Sequence, residues 1–202
     1  MQEKRIMKMG KTMKLGVFLA IGAIVFFWIM GVYNKMVSAE EEVRNRIGDI
    51  EVQYQRRADL IPNLVNIVKG YARHEREVLL EVVEARSKAT QMTLGPNATP
   101  QQIKQFIEAQ EDLTAALSRL LLIVERYPDL KANENFLELQ AQLEGTENRI
   151  AFARNKYNES VRKFNTLIRR VPGVIIASSF GFEAFPYFEA DQGAKKAPKV
   201  QF

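Results

Sequence analysis

Glu144 and Glu147, three residues apart, with Arg154 two turns further on, are the residues whose types and spacing come nearest to chemistry. Carboxylates paired on one helix face can pass protons as general acid and base when a concave, partly dry pocket holds them. A bundle of packed helices offers no such pocket in its sequence, so the expected role is salt bridging. The neighbouring Asn148, Arg149, Asn158 and Asn165 extend the set into a candidate polar network. Asn158 and Asn165, seven apart beside an apolar seam, suit hydrogen bonds between helices that fix register. The single histidine, His74, lies in "HEREV", where metalloprotease spacing would require a second histidine at the position held by Val78. With one histidine and no cysteine, thiolate metal sites and disulfides are excluded, and paired Glu-x-x-His di-iron motifs are absent. Neither a Gly-rich phosphate loop nor a Gly-x-Ser-x-Gly elbow occurs. The expectation is a protein that is not an enzyme, with no catalytic set, metal, cofactor or small-molecule substrate.

A second dense patch surrounds a helix breaker in "RRADLIPNLVNIVKGYARHE", residues 56 to 75. Pro62 has no N–H to give to Ala58, so a kink or restart is expected there. Asp59 suits an N-cap, which places Pro62 in the first turn of the restarted helix. Arg56 and Arg57 would then face the negative end of the preceding helix. Arg56, Arg57, Asp59, Pro62 and Asn63 thus read as a structural joint between membrane-proximal and distal helices.

The elements that must hold these residues begin with "LGVFLAIGAIVFFWIMGVY", Leu15 to Tyr33, which carries no charge. At helical rise it spans roughly 28 Å, the hydrocarbon thickness of a bilayer. A cleaved leader ending at Ala39 is the competing reading. The apolar run is long for that class, and helical patterning continues through the site. Residues 1–14 are basic, so they are expected on the cytoplasmic side with the remaining chain translocated. Six of 29 basic and one of 24 acidic residues lie up to Lys35, leaving 23 of each in the rest. The excess charge is therefore at the anchor, which argues against a nucleic-acid partner. The expected location is a bacterial inner membrane, crossed once, with the lipid bilayer a partner through Leu15–Tyr33.

Residues 34–172 have helical periodicity throughout. Apolar residues recur three and four apart from Val37 to about Thr90, and "QMTLGPNATP" then breaks the pattern. Thr99, Pro100 and Gln102 form an N-cap, an N1 proline and a capping-box glutamine. Phe136, Leu143, Ile150, Tyr157, Phe164 and Val171 fall at intervals of seven, with Leu139, Thr146, Ala153, Ser160 and Leu167 between them. Such a seam is expected of helices packed at shallow angles. The fold class is all-α: an antiparallel up-and-down bundle of three to four long helices with an N-terminal transmembrane helix. Residues 173–202 differ, with Phe180, Phe182, Phe185, Phe188 and Phe202 among Gly, Pro and Ala. Disordered tails are poor in aromatics, so this one is expected to fold back over the bundle, or to dock on a partner or the bilayer surface.

Four blocks, "RRADLIPNLVNIVKGYARHE", "ERYPDLKANENFLELQ", "EGTENRIAFARNKYNESV" and "PKVQF", closely resemble the LemA family of bacterial membrane-anchored helical proteins, which includes the magnetosome-associated MamQ proteins. The resemblance covers about residues 33 to 202. Departures are small: Val171 replaces a usual aromatic, Phe164 a common Tyr and Gln201 a common Asp. The resemblance implies a single N-terminal span, a helical bundle and no established enzymatic activity. The functional expectation is a non-enzymatic envelope scaffold that binds another membrane protein or further copies of itself. The alternative is an accessory subunit of a membrane protease or sensor kinase, and a hydrolase using Glu144, Glu147 and Arg154 is the remote third.

Overall fold

A computed structural model describes residues 2–95 and 98–189, and all regular structure in them is helical. Phe202 and "PKVQF" lie outside the described residues. The first helix, α1 (Gln2–Tyr71), changes character along its length. From Leu15 to Met30 its apolar side chains stand exposed, Phe18 at 74% and Phe27 at 68%. This stretch is long and apolar enough to cross a membrane. Beyond it, Val43, Ile47, Ile50, Tyr54, Arg57, Ile61, Leu64 and Val68 are buried, in alternating steps of four and three. That spacing lays one stripe along a helix that packs nearly parallel to its neighbours.

The helix does not restart at Pro62, contrary to the sequence expectation. Ala58, the carbonyl that the proline leaves without its helical donor, accepts from Arg86 Nε at 2.7 Å. A side chain from the next helix thus replaces the missing N–H, and the turn is satisfied without breaking. Asp59 is not a cap: it is exposed and accepts from Gln55 Nε2 at 2.8 Å, one turn earlier on the same helix. Arg56, Pro62 and Asn63 are also exposed. The chain turns ten residues later, at Ala72–Glu75, before α2 (Arg76–Gln91). Glu75 ties this turn to the far end of the bundle, accepting from Arg126 at 2.9 Å and from the Tyr127 hydroxyl at 3.3 Å.

The helix α3 (Pro100–Val124) opens on the expected capping box, with Thr99 and Gln102 each accepting from the other's backbone N–H. A short α4 (Pro128–Lys131) leads to α5 (Glu134–Arg169), whose N-cap is Asn133. Side-chain pairs set the directions. Tyr71 meets Asn133 and Tyr54 meets Arg154, so α1 and α5 are antiparallel. Glu81 pairs with Arg119 and Ala89 with Gln110, so α2 and α3 are antiparallel too. The result is an up-and-down bundle of four long helices. Phe136, Leu143, Ile150, Tyr157 and Phe164 are buried as the seven-residue spacing requires. Val171 is 81% exposed, so the seam ends one heptad earlier than its spacing suggests, because α5 stops at Arg169.

Gly173 then starts α6 (Gly173–Phe180) where a side chain cannot fit, since a Cβ would fall 2.2 Å from the Leu167 carbonyl oxygen. The helix packs on α5 and α1 at the anchor end, with the Phe180 and Phe182 rings at 4.8 and 5.7 Å from that of Tyr33. Gly181, at φ 76°, ends it in the left-handed conformation that favours glycine. The following segment is extended and runs back along α5.

Candidate functional site: a buried arginine layer and a clamped tail

The core is divided. One apolar cluster, around Tyr54, Phe106, Ile150 and Phe164, lies toward the anchor, and another, around Ile61, Leu113, Leu143 and Phe136, lies toward the far end. Between them sits Arg57, with its side chain fully buried. Nη1 donates to Thr114 Oγ1 at 2.9 Å and to Glu147 Oε1 at 3.0 Å. Nη2 donates to the Gln110 carbonyl at 3.2 Å and to its Oε1 at 2.8 Å. Gln110 Nε2 in turn reaches the Ala89 carbonyl at 3.4 Å, so all four long helices meet in one polar layer. The guanidinium lies 4.8 Å from the centre of the Tyr54 ring, an arrangement that helps to offset the cost of burying its charge. Only Nε of this guanidinium has no partner.

The layer continues to the tail. Arg154 Nε donates to the Tyr54 hydroxyl at 2.8 Å, and its guanidinium also lies 5.3 Å from the Phe188 ring centre. Burial pushes the Tyr54 hydroxyl up from its ordinary pKa, against the opposing pull of Arg154 and Arg57. Tyr157, whose hydroxyl donates to the Pro186 carbonyl at 2.9 Å, is raised further by burial.

Asn158 and Asn165 do not bridge helices. Each pairs its amide with one backbone unit of the extended tail. Asn165 donates to the Phe185 carbonyl at 2.9 Å and accepts from its N–H at 3.0 Å. Asn158 does the same at Phe188, at 2.8 and 2.9 Å. The rings of Phe185 and Phe188 are buried, Phe182 is half-buried, and Phe180 stays exposed.

The two candidate carboxylates are separated in role. Glu147 joins the arginine layer with its side chain still 41% exposed, whereas Glu144 is exposed and, among the described residues, accepts only from Gln140 on its own helix. Asn148 is exposed, and Arg149 links Gln53 at 3.1 Å to Thr146 at 2.9 Å. The expected network is therefore two devices, a layer across the bundle and a clamp on the tail. Arg57 joins the first although its sequence patch suggested a helix end. Its place in the stripe, between Tyr54 and Ile61, is the cue that could have found it. His74 is exposed, and the described residues contain no cluster of three potential metal ligands.

Among the described residues, two of the grooves on the outside are large. One, about 500 Å³, lies between α1 and α5 over the exposed Val52 and Phe152. The other, about 820 Å³, lies between α1 and α2 beside Lys69, Arg73 and Arg76. Neither lining brings two carboxylates together.

A family model described as the LemA family matches residues 46–202. The chain is 27% identical to magnetosome protein MamQ of Magnetospirillum gryphiswaldense over 174 residues, covering 77% of this chain and 64% of that protein. It is 26% identical to magnetosome protein MamQ 2 of Paramagnetospirillum magneticum over 175 residues, covering 78% and 64%. It is also 27% identical to protein LemA of Metamycoplasma hominis over 150 residues, covering 74% and 65%. It thus spans slightly less than two thirds of the length of these relatives.

Proposed function

The chain belongs to the LemA family, and from that premise we propose that it is a non-enzymatic, membrane-anchored scaffold of the bacterial envelope. One observation carries the reading: a single helix, α1, is both the exposed apolar span and the longest wall of the bundle core. A helix shared in this way holds the bundle at a fixed attitude to the bilayer, as suits a platform for other proteins. The arginine layer and the asparagine clamps support the same reading, because their buried polar groups are engaged with the protein's own backbone and side chains. The outer grooves and exposed helix faces are left for a second copy or another membrane protein. Crosslinking in cells at native abundance, followed by mass spectrometry of the membrane fraction, tests this. Discrete crosslinked species are expected, and recovery of monomer alone would overturn it.

A further inference from the structure

We infer that α6 is a second membrane contact, an interfacial helix that lies in the headgroup layer beside the anchor and takes anionic lipid. The inference rests on the reading of Leu15–Tyr33 as a membrane span, which fixes where the bilayer surface must be. Tyr33 ends that span, and the rings of both Phe180 and Phe182 pack against its ring, tilted and edge-on. At the other end of α6, Gly173 lies against Met36, since a Cβ there would come 3.0 Å from its Cε. Tyr33 and Met36 are three residues apart, about 4.5 Å along α1. Both ends of α6 therefore meet α1 within one turn of the end of the span, next to a headgroup layer roughly 5–8 Å thick.

Its two faces differ. Gly173, Ile176 and Ala177 are buried against the bundle. Val174 and Ile175 point away from it and are 43% and 64% exposed, and Val171, just before the helix, is 81% exposed. An exposed apolar patch rimmed by polar residues is a mark of a protein or membrane contact. The exposed cations Arg169 and Arg170 precede them in the chain and Lys35 adjoins Met36, and none of the three is held in an ion pair among the described residues. An apolar face rimmed by lysine and arginine, at the depth of lipid phosphates, is complementary to an anionic bilayer interface. Tyr33 adds the aromatic that interfaces favour. Anchor and α6 together would grip the membrane at two points and set the tilt of the bundle above it.

Tryptophan fluorescence of the full chain in vesicles tests this, because Trp28 is the only native tryptophan. Trp28 in the unaltered protein reports the anchor. Trp28→Phe combined with Ile175→Trp reports α6, with Val171→Trp as a second position, and Phe152→Trp serves as a solvent control. Vesicles of phosphatidylcholine with phosphatidylglycerol carry bromine either near the headgroup or deep in the chains. The expected result is a blue-shifted tryptophan at 175 or 171, quenched most by shallow bromine, with Trp28 quenched most by deep bromine and the control by neither. Arg169→Gln with Arg170→Gln should lose the extra quenching that phosphatidylglycerol gives over phosphatidylcholine alone. Quenching of Trp28 with none at 171 or 175 overturns the interfacial helix and leaves the anchor standing. A blue shift without quenching overturns it in favour of cover by a second copy. Absence of quenching at Trp28 overturns the anchor, and this inference with it.

Discussion

A buried guanidinium must exchange its hydration for protein partners, and Arg57 does so with four hydrogen bonds to three side chains and a carbonyl, above the face of Tyr54. The ion pair is the lesser part, because Glu147 remains 41% exposed and water screens it. Two substitutions separate the contributions. Arg57→Ala leaves Gln110 and Thr114 without their donor and should cost about 2–4 kcal/mol. Glu147→Gln keeps an acceptor and should cost about 1 kcal/mol or less. Chemical denaturation followed by helix content measures both, and equal losses would put the charge pair in command. The buried tyrosines set the alkaline limit. Their hydroxyls ionise less readily when folded, so the folded state holds its protons after the unfolded chain has begun to lose them. Stability should therefore be level through neutral pH and fall as pH rises past the ordinary tyrosine value of 10.0. Tyr157→Phe should flatten that fall, as thermal melts across alkaline pH would register. Arg57 was legible only as a charge beside a proline; its burial shows in the four-and-three spacing on either side, which the charge obscured. Asn158 and Asn165 were legible as buried-side amides, but an extended tail as their partner has no periodicity to announce it.

At the scale of elements, the continuity of α1 depends on a contact between residues 28 apart. Pro62 removes the donor to Ala58, and Arg86 supplies one. Arg86→Ala should leave that carbonyl unsatisfied and cost about 1–3 kcal/mol. Pro62→Ala restores the backbone N–H, so in the Arg86→Ala background it should recover most of the loss. A double-mutant cycle on unfolding free energy measures the coupling, and additive effects would show that Arg86 does not act through this carbonyl. Local rules explain why α3 was readable and the α1–α2 boundary was not. Thr99, Pro100 and Gln102 form a self-contained start signal. The turn at Ala72–Glu75 has no side-chain cap on Glu75 and is held instead by Arg126 and Tyr127, some fifty residues away. The seam of α5 was readable in its heptads and its end in "RRVPG", whereas the close approach of Gly173 to Leu167, which starts α6, has no local signal.

For the whole molecule, one helix that is lipid-compatible for its first part and core-forming for the rest makes anchor and bundle a single mechanical unit. We propose that α1 crosses a bilayer and carries the bundle outside the cytoplasm, as the basic residues before Leu15 lead one to expect. The chain has no cysteine, so a single introduced thiol reports without background. His74 is exposed at the turn farthest along α1 from the span, and His74→Cys should leave the fold intact. Spheroplasts producing this variant are treated with a membrane-impermeant maleimide, with and without prior permeabilisation. That placement predicts full labelling in the sealed spheroplasts, unchanged on permeabilisation. Labelling that appears only after the membrane is opened would contradict it.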